Sequence, residues 1–190
     1  ISFIIGSNIY SLDFQATSLE WIGKKITGDH NGTIQFSSGH VVLDKKDIVS
    51  GEFIVNMSSI ENKDISDETY RGYLEDHLKS EDFFDTNFFS TAKLDIINQV
   101  DVDSINIKLG YNSIILCNLT IKDITHQIQI PLILNIYNNH ATASGTIDID
   151  RTLYNIKYKS KSFFPNIGDK LIYDDFTLNF NIHVKREWEK

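Results

Sequence analysis

The 190-residue sequence predicts an all-β fold with a single helix packed against it. Three observations lead there. Apolar residues recur with a period of two along most of the chain. Turn signals separate these runs at fairly regular spacing, as "DHNG", "SSG", "DKKD", "YNN" and "NIGDK". One internal stretch switches to a helical period. Many short strands with turn chemistry between them define a sandwich or a barrel. No internal repeat or low-complexity segment divides the chain, so one domain over residues 1–190 is expected.

Each element follows from its pattern. "TIQF" puts Ile34 and Phe36 on one face, and "EFIVNM" does the same for Phe53, Val55 and Met57. The helix comes next, near residues 67–79. Ser66 is the expected N-cap, with Asp67 and Glu68 in the first turn, where the helix dipole favours anions. Tyr70, Tyr73, Leu74, His77 and Leu78 then fall on one face, and the helix should end near Lys79. Beyond it lie Phe83 and Phe84, framed by Glu81, Asp82 and Asp85.

The remaining strands alternate again. "IILCNLTI" aligns Ile115, Cys117, Leu119 and Ile121. "QIQIPLILNI" aligns Ile128, Ile130, Leu132, Leu134 and Ile136, and Pro131 within it marks an edge or a bulge. "GTIDID" aligns Ile147 and Ile149, while "DFTLNFNIHV" aligns Phe176, Leu178, Phe180, Ile182 and Val184.

Composition narrows the function. Lys plus Arg is 18 against 26 for Asp plus Glu, a formal net charge of -8. Such a surface repels phosphate backbones, so nucleic-acid partners are not expected. The single cysteine, Cys117, rules out an intramolecular disulfide and a cysteine-rich zinc site. The six histidines are scattered without ligand spacing, so no metal is expected. No hydrolase elbow, zinc-protease helix motif or phosphate-cradling loop is present, and no cofactor is implied. No run is long enough for a membrane-spanning helix. "ISFIIG" reads as the remnant of a removed leader or as the first structured residues.

Three functional classes follow. Asp148 and Asp150, with His30 or His126, would be the acid–base groups of a hydrolase; the plainer reading of the two aspartates is a solvated strand face. A barrel filled by its own side chains would serve protein contacts through its acidic exterior or the "KREWEK" tail. A barrel with free space would bind a ligand. About eight strands enclose a lumen that side chains just fill or that holds one small ligand, and periodicity does not separate the two.

Six stretches in order resemble the YceI-like family of lipocalin-like proteins: "YSLDFQATSLEW", "GDHNGTIQF" with Gly28, His30 and Gly32, "GEFIVNMSSIEN", "LEDHLKSEDFFD", "NLTIKDITHQIQIPL" and "IDIDRTLYNI". The chain departs from the family pattern at Cys117, at Asp123 and at Asn155, which follows Tyr154. The resemblance implies an extended antiparallel β-barrel with the helix at one side. It also implies a lumen for an isoprenoid-type lipid, polyisoprenoid or quinone-like, a periplasmic or secreted location and a possible homodimer. By family position, Trp21, Phe36, Phe53, Val55 and Ile149 are expected in the lumen. Leu74, Leu78, Phe83, Phe84 and Phe88 are expected to form a wall or lid, and His77 and Arg151 to meet a polar head or make structural bonds.

Overall fold

A computed structural model describes residues 7–166 and 168–187. The whole of "ISFIIG" and the end of the "KREWEK" tail lie outside the described residues. The strands are β1 (Ser7–Leu12), β2 (Ser18–Lys25), β3 (Gly28–Asp44), β4 (Asp47–Asn62), β5 (Thr91–Val100), β6 (Ser113–Ile121), β7 (Ile124–Ile136), β8 (His140–Asp150) and β9 (Ile172–Arg186). The helices are α1 (Glu68–Lys79) and a short α2 (Ser104–Lys108).

The sheet order is β1-β3-β2-β9-β8-β7-β6-β5-β4, and a β3–β4 pairing closes it. Every ladder is antiparallel. β1 and β2 share one place in the wall, because each pairs with both β3 and β9 at different heights. The result is a closed eight-stranded barrel. The short interruption between β1 and β2 is pinned to β9, where His183 N–H donates to Thr17 Oγ1 at 3.0 Å and Asp13 N–H to the His183 carbonyl at 2.8 Å. β3 runs for 17 residues and β4 for 16, so the wall is long, roughly 50 Å along a strand.

The turns fit their residues. Lys122 and Asp123 both take positive φ, 51° and 58°, in the two-residue hairpin between β6 and β7. Asparagine stands in for glycine at Asn155, with φ 60°. Pro131 lies just outside the β7–β8 ladder, which pairs only Ile133–Ile136 of β7. It therefore has the local edge that its missing N–H requires. Below that ladder a 3-10 turn, Arg151–Tyr154, packs on β7: His126 Nε2 donates to the Leu153 carbonyl at 3.1 Å, and the His126 and Tyr154 rings meet edge-on at 5.2 Å.

The helix cap is Asp67, one residue later than expected, and its carboxylate accepts from the Thr69 and Tyr70 N–H groups. Only part of the anticipated apolar face points inward. Tyr70 and Tyr73 are exposed and pack edge-on against each other, leaving Leu74 and Leu78 toward the barrel. Among the described residues no helix is long and apolar enough to cross a membrane.

The inward faces form two clusters. The upper one holds Leu43, Phe53, Ile115, Cys117 and Leu132, and the lower one holds Ile34, Met57, Phe83, Leu119 and Tyr154. Phe36, Leu94, Ile128, Ile147 and Phe180 touch both, so the clusters join into one lumen.

Candidate functional site: an apolar lumen with a polar mouth

The alternation that builds the strands also builds the site, because it sends every second side chain into the lumen. Packing there is incomplete. A cavity of about 130 Å³ lies in the upper half and one of about 190 Å³ in the lower half. Both are bordered by Leu19, Val55, Ala92, Leu119, Ile149 and Leu178, so they are neighbouring chambers of one space. In the upper chamber β8 contributes three small residues, Ala141, Thr142 and Ala143, as well as Ile147 and Ile149. Gly145 on the same strand makes room for the Phe180 ring, which would lie 2.7 Å from an added Cβ.

The lower chamber is covered by Leu74 and Leu78 of α1 and by the loop after it. That loop is held by its own backbone. The Ser80 carbonyl accepts from Phe83 and Asp85, Leu78 from Phe84 and Lys79 from Thr86. Asp85 takes a positive φ of 47°, which turns the chain. Lys122 Nζ donates to the Phe83 carbonyl at 2.9 Å, tying the loop to the β6–β7 hairpin. Phe83 is buried and packs against the His77 and Tyr158 rings at 5.0 and 5.4 Å. The Phe84 ring meets Phe176 at 6.1 Å. Both phenylalanines border the lower chamber.

The expected residues divide clearly. Phe36 and Phe53 border the upper chamber; Trp21, Leu74, Leu78, Phe83, Phe84 and Arg151 border the lower; Val55 and Ile149 border both. His77 and Phe88 border neither. His77 sits outside, against Asp82 at 3.2 Å, and Phe88 is 77% exposed and packs on Phe89. Cys117 is fully buried in the upper cluster without bordering a chamber, so its extra volume relative to glycine is absorbed by the wall. Burial pushes its thiol up to about 12.

Arg151 borders the chamber, yet its guanidinium is occupied. It donates to the carbonyls of Tyr173, Ile156 and Ile172 at 3.0, 2.8 and 3.1 Å. These bonds fasten the long β8–β9 loop back onto β9. Burial lowers the Arg151 pKa, and Asp174 and Asp150 work against that shift.

The polar rim contains residues that the sequence reading did not assign to the site: Lys24, Lys25 and Asp175, with His30 beside them. Lys25 had a signal, since Leu19, Trp21, Gly23 and Lys25 share one face of "SLEWIGKK". Alternation does not reveal at which height the lumen opens. His30 is fixed by Asp64, with Nδ1 2.9 Å from Oδ2. Burial alone would raise the Asp64 carboxyl, but bonds from Asn31 N–H, His30 and Asn62 outweigh it and hold the group below its ordinary value.

The hydrolase candidates are engaged separately. Asp148 accepts from Thr177, Asp150 caps the 3-10 turn through Thr152, His126 holds the Leu153 carbonyl, and His30 holds Asp64. Among the described residues no group of three or more His, Cys, Asp or Glu could hold a metal ion.

This barrel, with its apolar interior and helix-covered end, places the chain in a known class. The YceI-like domain model matches residues 10–184, and the chain belongs to that family. Among solved structures it is similar to BcnA of Burkholderia cenocepacia, with TM-score 0.69 and 16% identity over 90% of this chain and 98% of that one. It is also similar to a polyisoprenoid binding domain from Saccharophagus degradans implicated in plant cell wall breakdown, with TM-score 0.63 and 14% identity over 94% and 98% of the two chains. The Campylobacter jejuni YCEI protein gives TM-score 0.56 and 14% identity over 82% and 85%. No curated protein sequence matches the chain.

Proposed function

We propose that this protein binds one amphiphilic lipid of isoprenoid type, a polyisoprenoid or quinone-like molecule, with its tail in the two-chambered lumen and its head at the lysine-bordered mouth. The observation that carries the reading is the unfilled apolar space inside a closed barrel. Vacant apolar volume costs about 24 cal/mol per Å³, so the lower chamber alone is worth on the order of 5 kcal/mol. A bound tail removes that cost and gains about 0.8 kcal/mol per buried CH₂. The same vacant volume favours this reading over a barrel filled by its own side chains.

Specificity follows from shape and from the rim. The tail makes no polar contacts in the chambers, so length and branching decide affinity. A phosphate or other acceptor head would meet Lys24 and Lys25, while Arg151, already bonded, would hold the wall. Membership of the YceI-like family and similarity to a polyisoprenoid binding domain support this ligand class. The role is carriage, storage or protection of the lipid rather than catalysis, at a periplasmic or secreted address, with a homodimer compatible with the fold.

Titration with a fluorescent isoprenoid analogue tests the reading. Saturable uptake at one site per barrel is expected, with emission moving to that of an apolar environment. Uptake of a water-soluble head group alone with equal affinity would place binding at the rim and overturn the lumen reading.

A further inference from the structure

The β8–β9 loop contains the stretch "KYKSKSFFP", beginning at Lys157. Residues 157–170 include four lysines and one acid, Asp169, in a chain of net charge -8. The same loop exposes two adjacent aromatics, Phe163 at 45% and Phe164 at 51%. Single exposed apolar residues are ordinary on protein surfaces. Adjacent phenylalanines set among lysines on an acidic protein are not.

Neighbouring segments extend the patch. Ile172 N–H donates to the Lys159 carbonyl at 3.0 Å, and Ile26 N–H to the Leu171 carbonyl at 3.4 Å, so the β2–β3 turn abuts this loop. Ile26 and Tyr173 are about half exposed there. Lys157 Nζ lies 4.8 Å from the Phe163 ring centroid, keeping charge and ring together. The acids nearby are Asp29, Asp169, Asp174 and Asp175; Asp174 is already engaged by Arg151 and Ser162. Lys24, Lys25 and Tyr173 also border the lower chamber, so the patch adjoins its mouth.

We infer that this face is a docking surface for a membrane carrying anionic lipids. The aromatic tips enter the headgroup–acyl boundary, and the lysines meet the anionic surface. Residues Glu81, Asp82 and Asp85, in the loop beyond α1, would be repelled, so the barrel settles with the lysine side of its mouth downward. The surface exists whether or not the lumen holds a lipid. Its use, to collect and return cargo at the mouth, rests on the proposed function.

The test is flotation of the full chain with phosphatidylcholine vesicles and with phosphatidylcholine–phosphatidylglycerol vesicles, both free of isoprenoid. Binding to the anionic vesicles should be at least about tenfold tighter and should fall with salt. Phe163→Ser with Phe164→Ser, and Lys157→Ser with Lys161→Ser, should each weaken it at least about tenfold. Phe14→Ser, an exposed phenylalanine in the β1–β2 connection, should leave it unchanged. Thermal melts show that each variant is folded. Equal binding to both vesicles, no binding to either, or unchanged binding by both double variants would overturn the proposal. So would a salt-sensitive dimer that the lysine variant abolishes without any vesicle binding, which would assign the face to a second copy. Because the vesicles lack isoprenoid, failure here leaves the lumen reading standing, and an empty lumen leaves this surface standing.

Discussion

The guanidinium of Arg151 lies 6.0 Å from the centroid of the Phe83 ring, which joins the β8–β9 loop to the loop that covers the lower chamber. Arg151 is only 4% exposed and serves three backbone carbonyls. Arg151→Met should therefore cost about 3 kcal/mol or more, since one buried and two part-buried acceptors lose their donor. Urea unfolding measures this. Lysine should recover only part, because a point charge cannot span the same fork of carbonyls.

Ala92 gives a test in which stability and binding move in opposite directions. It is buried on β5 and borders both chambers. Ala92→Leu should fill vacant volume and stabilise the lipid-free protein by about 1 kcal/mol. The same change should weaken isoprenoid uptake. Destabilisation together with full uptake would mean the chambers are not the binding space.

Leu78 of α1 projects into the lower chamber. Leu78→Trp should take up tail space worth at least two CH₂ groups, lowering affinity about tenfold or more. Circular dichroism should show the barrel retained. Phe88→Ser, outside both chambers, should leave affinity unchanged.

Asp64 links the β2–β3 end of the barrel to the segment leading into α1. Its folded pKa is lowered from 3.8. Its stabilisation is thus complete above that ordinary value and disappears as pH falls through the lower folded value. The denaturation midpoint of Asp64→Asn should lie below that of the parent at neutral pH, and the gap should close in acid.

Cys117 should be chemically silent in the folded protein. Its thiol is pushed up to about 12 and is fully buried, so almost no thiolate exists at neutral pH. Alkylation by iodoacetamide should be negligible until urea unfolds the chain, then rapid.

Strand positions were legible because a half-buried wall imposes a period of two, as in Phe176, Leu178, Phe180, Ile182 and Val184, which all reach the lumen. The helix was legible from its period and its acidic start, although Asp67 rather than Ser66 caps it. The exposure of Tyr70 and Tyr73 was not, since the same spacing serves a face that reaches the barrel at only Leu74 and Leu78. Free volume was also illegible. Ile115 and Cys117 are neighbours in one alternating row, yet only Ile115 borders a chamber. That difference is set by what faces each residue across the closed barrel, which no local pattern encodes. The occupation of Arg151 was equally hidden, because its acceptors lie up to 22 residues away.

The most direct measurement of the central claim is native mass spectrometry of freshly purified protein, paired with solvent extraction and lipid analysis. One isoprenoid-type lipid per barrel is expected, released on unfolding and absent or reduced in Ala92→Leu. Protein that carries no lipid, and that takes up none when an isoprenoid is supplied, would contradict the account.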